Sequence, residues 1–94
     1  MTKATALHAI VYGRVQGVYF RAFVENHASE LGLTGYVRNL PGGREVEIMA
    51  EGDRGQLEKL LNYLNEGPVR ATVEKVVTQW LNQIGKYSDF KIEY

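Results

Sequence analysis

The sequence contains no cysteine, which excludes disulfide bonds and a thiol nucleophile. Its formal net charge is zero, so it lacks the bulk field that attracts nucleic acid or an anionic membrane. No run approaches the roughly 18 apolar residues of a transmembrane helix, and the N-terminus lacks the apolar core of a signal peptide. The two histidines are too few for a typical catalytic metal site. We therefore expect a cytoplasmic protein with no membrane or nucleic-acid partner, no metal and no cofactor.

The apolar pattern predicts one small α+β domain over residues 1–94. The element order is β-α-β-β-α-β plus a short C-terminal strand, after a loose lead-in at residues 1–6. The predicted strands cover residues 7–12, 34–40, 44–51, 71–81 and 90–94, and the first helix covers residues 22–31. This order predicts a ferredoxin-like α/β sandwich, with two helices on one face of an antiparallel sheet.

Single residues predict how these elements begin, bend and connect. Pro41 and the two glycines after it have the chemistry of a hairpin turn. Asp53 is the predicted N-cap of the second helix, paired with Gln56 in a capping box. In the fourth strand the apolar phase slips by one position between Val73 and Val76, which predicts a β-bulge.

The polar residues of the strands are predicted to lie at the surface. Glu45, Glu47 and Glu51 alternate with apolar residues, so their side chains are expected to face solvent. His8 has no predicted partner, and Arg38 is expected to be solvated. None of these residues is predicted to take part in chemistry.

The segment 13–21, between the first strand and the first helix, has the pattern of an anion-binding turn. Backbone N–H groups in such a turn can converge on an anion, and the helix N-terminus adds partial positive charge. Arg21 supplies a planar fork that matches two phosphate oxygens. The segment contains neither the Walker A pattern nor the dinucleotide fingerprint. We predict a phosphate site formed by Gly13, Arg14, Val15, Gln16, Gly17, Val18 and Arg21.

Asn39 is the candidate for orienting a water molecule, because its amide both accepts and donates hydrogen bonds. The sequence offers no evident acid–base pair or nucleophile, which favours a substrate with a good leaving group. An acyl phosphate releases a carboxylate, whose conjugate acid has a pKa of about 4. Positioning and electrostatics would then suffice for a carboxylic–phosphoric anhydride, but would be weak for a phosphate monoester.

Each of these features also has a purely structural interpretation. A glycine-rich turn between a strand and a helix is more often only a turn. An arginine in a first helical turn is usually solvated, although its unfavourable place beside the helix dipole favours an anion next to it. From the residues alone, Asn39 is more readily explained as a turn residue before Pro41.

The motif G-R-V-Q-G-V-x-F-R, followed by G-Y-V-R-N after the first helix, resembles the signature of the acylphosphatase family. The resemblance runs from about residue 7 to residue 94. It implies the same fold and the metal-free hydrolysis of an acyl phosphate to carboxylate and phosphate, with no covalent intermediate. It also implies that Arg21 binds phosphate, Asn39 orients water and residues 16–18 donate backbone hydrogen bonds. We expect a monomer, with inorganic phosphate as product and inhibitor.

Two other functions fit the same element order. RRM domains bind single-stranded RNA through aromatic residues on the sheet, but here Glu45, Glu47, Met49 and Glu51 occupy the third strand. A regulatory domain that keeps the anion pocket without turnover is the second alternative, since similar domains occur inside larger maturation proteins. We expect a free-standing enzyme.

Overall fold

The computed structural model describes residues 4–82 and 85–94 of the chain. Within these residues, five strands and two helices follow one another in the order that the sequence predicts. Their bounds are β1 Ala4–Arg14, α1 Phe20–Glu30, β2 Thr34–Asn39, β3 Glu45–Asp53, α2 Arg54–Glu66, β4 Thr72–Leu81 and β5 Phe90–Glu93.

The strands form one sheet in the order β4-β1-β3-β2-β5, and α1 and α2 pack on it and on each other. The ferredoxin-like α+β prediction is therefore confirmed. The pairings among β1, β2, β3 and β4 are all antiparallel, as predicted, but β5 pairs with β2 in parallel. β5 is parallel to β2 because β4 runs opposite to β2 and the chain reverses its direction once more between β4 and β5.

The core lies between the helices and one face of the sheet. In β1, Leu7, Ala9 and Val11 are fully buried, as are Val46 and Ile48 in β3. The alternation along both strands is thus confirmed, because burying every second side chain places one whole face against the helices. The helices contribute Phe20, Val24, Ala28, Leu57, Leu60 and Leu64.

Three predicted boundaries or irregularities can be compared with the structure. The loose lead-in at residues 1–6 is wrong for residues 4–6, since Ala4 and Ala6 pair with β3 as part of β1; residues 1–3 lie outside the described residues. Helix α1 begins at Phe20, two residues earlier than predicted. The bulge is confirmed: the β1–β4 register shifts where Tyr12 pairs with Lys75 and the next residue pairs with Val73.

The capping box at α2 is not formed. Asp53 is the N-cap, as predicted, but its side chain makes no capping hydrogen bond. Gln56 instead donates through Nε2 to the Leu31 carbonyl oxygen at 3.5 Å. Asp53 is also the last residue of β3, where it pairs with Ala4.

The polar groups on the sheet are less exposed than the sequence suggested. Glu51 is buried at 1 % exposure, so the prediction that it faces solvent is wrong. Glu47 accepts hydrogen bonds from His8 at 2.8 Å and from Arg38 at 2.5 Å, so both residues have a partner that the sequence did not reveal. Burial raises the pKa of the Glu47 carboxyl, but the bonds from His8 and Arg38 outweigh it and lower that pKa.

Candidate active site

The loop at residues 15–19 connects β1 to α1 and is fixed at both ends by the core. The side chains of Val15 and Val18 are buried, at 1 % and 5 % exposure, whereas Gly17 between them is exposed. The two valines therefore anchor the loop, and its backbone lies at the surface near the start of the helix.

The φ signs along the backbone of this loop alternate, as they do in an anion-binding nest. Gly17 has φ 72° and Tyr19 has φ 62°, while Val18 between them has no positive φ. Alternating φ signs turn successive N–H groups toward the same side, which is how nests bind anions. Helix α1 adds its N-terminal dipole, since its first turn contains no acidic residue and no side chain caps it.

Gly13 lies in β1 and has a different reason to be glycine. A Cβ at this position would collide with the carbonyl oxygen of Thr72 in β4, and the Gly13 N–H donates to the Arg44 carbonyl oxygen at 3.0 Å. Gly17, by contrast, has open space around it and needs only its left-handed conformation. The first glycine therefore lets two strands approach, and the second shapes the loop.

Arg21 lies in the first turn of α1 and is half-buried. Its guanidinium donates a long hydrogen bond, 3.4 Å, to the Glu93 carbonyl oxygen and lies 4.8 Å from the centroid of the Tyr94 ring. Among residues 4–82 and 85–94 it forms no ion pair with a carboxylate side chain. Its charge is therefore free to act on an anion.

Asn39 is the last residue of β2, before the hairpin turn that the Leu40 N–H closes on the Glu45 carbonyl oxygen at 3.0 Å. Its side-chain oxygen is buried and accepts no hydrogen bond from the described residues. A buried acceptor of this kind can receive one further hydrogen bond at the edge of the cleft.

Gln16 joins the loop to the hairpin that holds Asn39. Its side-chain Nε2 donates to the carbonyl oxygens of Leu40 and Glu45, at 2.9 and 3.0 Å. From the sequence, only the backbone N–H of Gln16 was predicted to take part in the site. No sequence pattern predicts that a single glutamine donates to a carbonyl oxygen 24 residues away, so only the structure reveals this contact.

One cleft of about 490 Å³ brings the main elements together. Of the predicted site residues, Val15, Gly17, Arg21 and Asn39 line it, whereas Gly13, Arg14, Gln16 and Val18 do not. The Arg14 side chain is exposed outside the cleft. Arg70, Ile92 and Tyr94 also line it; they were not predicted as site residues and come from a turn and from the C-terminal segment. The full lining is Val15, Gly17, Tyr19, Phe20, Arg21, Ala22, Asn39, Arg70, Ile92 and Tyr94.

Both histidines are engaged in contacts away from this cleft. His8 is bonded to Glu47, and the His27 ring stacks on Tyr63 with 3.7 Å between centroids. In the described part of the chain, no three His, Asp or Glu side chains are grouped so that they could hold a metal ion. Neither described helix has the length and apolar character that crossing a membrane requires.

Comparison with known proteins identifies relatives over almost the whole chain. The family model described as Acylphosphatase matches residues 7–92. A protein named Acylphosphatase from Dehalococcoides mccartyi is 52 % identical over 88 residues, which cover 94 % of this chain and 97 % of the relative.

Solved structures agree with the sequence relatives. An acylphosphatase from Coxiella burnetii is 40 % identical, with a TM-score of 0.88 and coverage of 97 % of this chain and 94 % of that one. The crystal structure of acylphosphatase from Bacillus subtilis is 34 % identical, with a TM-score of 0.90 and coverage of 96 % and 99 %.

Proposed function

The chain belongs to the acylphosphatase family of acyl phosphate hydrolases, and we propose that the loop at residues 15–19, Arg21 and Asn39 carry out this hydrolysis. The observation that supports the assignment is the shared cleft, which Gly17, Arg21 and Asn39 all line. Its substrate is a small-molecule acyl phosphate.

The phosphoryl group binds between the loop and Arg21. The N–H groups of Gln16, Gly17 and Val18 donate to its oxygens, beside the positive end of α1. The Arg21 guanidinium donates hydrogen bonds to two of the phosphoryl oxygens and compensates the negative charge that they carry in the transition state. Preorganised donors of this kind are each worth roughly 10²–10³ in rate.

Asn39 orients the attacking water. Its unpaired side-chain oxygen accepts a hydrogen bond from the water, and its NH₂ group contacts the substrate phosphate. Holding the water in line with the scissile P–O bond converts an encounter into an effectively unimolecular step. Gln16 keeps the hairpin and the loop at a fixed separation through its two carbonyl contacts.

The leaving group needs no general acid. Water attacks phosphorus, the bond from phosphorus to the carboxyl oxygen breaks, and the carboxylate departs with a conjugate acid of pKa about 4. The proton of the water passes to a phosphate oxygen of the substrate, and no covalent intermediate forms. A pH–rate profile that required an enzyme group as base would contradict this route.

The test is the hydrolysis of benzoyl phosphate with a chelator present and a phosphate monoester as control substrate. We expect turnover of the anhydride alone, unaffected by the chelator and inhibited by inorganic phosphate. Loss of turnover with the chelator would contradict the metal-free reaction. Phosphate binding without any turnover would instead favour a regulatory anion-binding domain.

We also propose that the protein acts as a cytoplasmic monomer without a nucleic-acid partner. The open face of the sheet, where RRM domains stack bases, carries the His8–Glu47–Arg38 network. The third strand, Glu45–Asp53, carries no aromatic side chain on which a base could stack. Light scattering in solution would test the monomer, and a salt-dependent RNA-binding assay would test the absence of a nucleic-acid partner.

A further inference from the structure

The cleft is larger than the phosphate site and must also receive the acyl group. Its volume of about 490 Å³ lies within the range of small-molecule sites. Beyond the loop, Arg21 and Asn39, its walls include two exposed tyrosines, Tyr19 and Tyr94, together with Arg70 and the partly buried Ile92. The properties of these side chains determine which acyl groups fit.

Arg70 is held at the edge of the cleft by a tight turn between α2 and β4. The Ala71 N–H closes this turn on the Pro68 carbonyl oxygen at 3.0 Å. Gly67, just before the turn, packs so closely on α1 that an added Cβ would lie 3.2 Å from a ring carbon of Phe20. The backbone that carries Arg70 is therefore fixed against the helix that carries Arg21.

The charge of Arg70 is not compensated by the protein. Within residues 4–82 and 85–94 it makes neither an ion pair nor a hydrogen bond through its side chain. The cleft lining contains two arginines and neither aspartate nor glutamate. One guanidinium and the loop suffice for the phosphoryl group, which leaves a second cation in the same cleft without a partner.

We propose that Arg70 is a specificity-determining residue that binds an anionic group on the acyl part of the substrate. The preferred substrates are then acyl phosphates whose acyl chain carries a carboxylate or a second phosphate. This proposal rests on the proposed function. Arg70 comes from neither the loop nor the hairpin of Asn39, so it approaches the substrate from a third side, where Tyr19 and Tyr94 can cover the carbon skeleton.

The test compares two acyl phosphates of nearly equal size, 4-carboxybenzoyl phosphate and the neutral 4-carbamoylbenzoyl phosphate. The para position prevents the carboxylate from attacking its own acyl group. Selectivity is the ratio of kcat/KM for the anionic to that for the neutral substrate. We expect Arg70→Gln to lower this ratio about fivefold, mainly through KM, as for a partly exposed ion pair. Arg70→Lys should keep most of the selectivity, and added salt should reduce it in the wild type.

Lys59→Gln is the matched control, since it removes one exposed positive charge on α2 outside the cleft and should leave the ratio unchanged. An equal loss of kcat/KM for both substrates in Arg70→Gln would mean that Arg70 binds the common phosphoryl group, and would overturn the proposal. An unchanged ratio would overturn it too. A wild type that hydrolyses neither these substrates nor benzoyl phosphate would remove the proposed function itself.

Discussion

The two junctions where a strand leads into a helix differ in length and in backbone conformation. Between β1 and α1 the chain makes a five-residue loop, residues 15–19, with positive φ at Gly17 and Tyr19. Between β3 and α2 there is no loop, because Asp53 ends the strand and Arg54 begins the helix. Asp53 is extended, with φ −66° and ψ 133°. Only the first junction has the alternating φ signs that are typical of an anion-binding backbone turn.

Both helices carry an arginine in the first turn, but the protein uses the two differently. The Arg54 guanidinium lies 3.7 Å from the centroid of the Trp80 ring, and its Nε lies 3.4 Å from Glu58 Oε2. Arg21 has a ring at 4.8 Å and a long bond to a carbonyl oxygen, with no carboxylate partner among the described residues. An arginine near a helix start therefore indicates an anion site only when nothing else satisfies its charge.

The largest difference between the junctions should appear when each arginine is removed. We expect Arg21→Ala to lower kcat/KM for benzoyl phosphate by about 10³-fold, since a transition-state arginine is worth at least that much. Arg54→Ala should leave kcat/KM within about twofold and cost about 0.5–1 kcal/mol of unfolding free energy through the lost contact with Trp80. Steady-state kinetics and thermal unfolding of both variants test this. A similar loss of activity in both would show that the arginines act through the fold.

Substitution of Asn39 tests whether the attacking water and the bound phosphate are held by different groups. Asn39→Ala should lower kcat by about 10²-fold, the effect of losing one positioned group, while the inhibition constant of inorganic phosphate changes little. Asn39→Asp keeps the shape but places a negative charge beside the phosphate, so it should weaken phosphate inhibition as well. If phosphate binding collapsed in the alanine variant, Asn39 would belong to the phosphate site.

Each junction also has a glutamine that donates to a carbonyl oxygen of another segment. Gln16 makes two such bonds to the hairpin of Asn39, and Gln56 makes one of 3.5 Å to Leu31. Gln16→Leu should lower kcat roughly tenfold, since a small misplacement of the groups is enough for such a loss. Gln56→Leu should have no effect on kcat. Kinetics with benzoyl phosphate would decide, and equal effects of the two changes would contradict a positioning role for Gln16.

The sequence predicted the elements well because burial repeats at short range along the chain. In β1, Leu7, Ala9 and Val11 alternate with half-buried residues, and the structure confirms that face. The parallel pairing of β5 was missed, since four residues at an edge carry no signal of direction. The capping-box prediction was wrong because local spacing does not reveal that Gln56 donates to the Leu31 carbonyl oxygen of another segment.

The residues of the candidate site also fall into two groups, those that a sequence pattern reveals and those that only the fold brings together. Gly17, Arg21 and Asn39 were found because they belong to two contiguous motifs, and their catalytic roles stay predictions. The side-chain bridge of Gln16 and the position of Arg70 depend on segments far apart in the chain that the sheet and helices bring together. A contact made only by tertiary proximity leaves no pattern in a single sequence.

The smallest expected effect concerns the N-cap residues, which differ in conformation at the two junctions. Tyr19 is held in the left-handed region, at φ 62° and ψ 24°, which costs a residue with a Cβ about 1–2 kcal/mol. Tyr19→Gly removes this strain but adds chain entropy to the unfolded state, so the net gain should be about 0.5–1 kcal/mol, a few degrees in Tm for a domain of this size. Tyr19→Ala keeps the Cβ and should not stabilise, and Asp53→Gly should destabilise because Asp53 is already unstrained. Calorimetry of the three variants separates backbone strain from the lost ring. A rise in Tm for Tyr19→Ala equal to that for glycine would assign the effect to the exposed side chain.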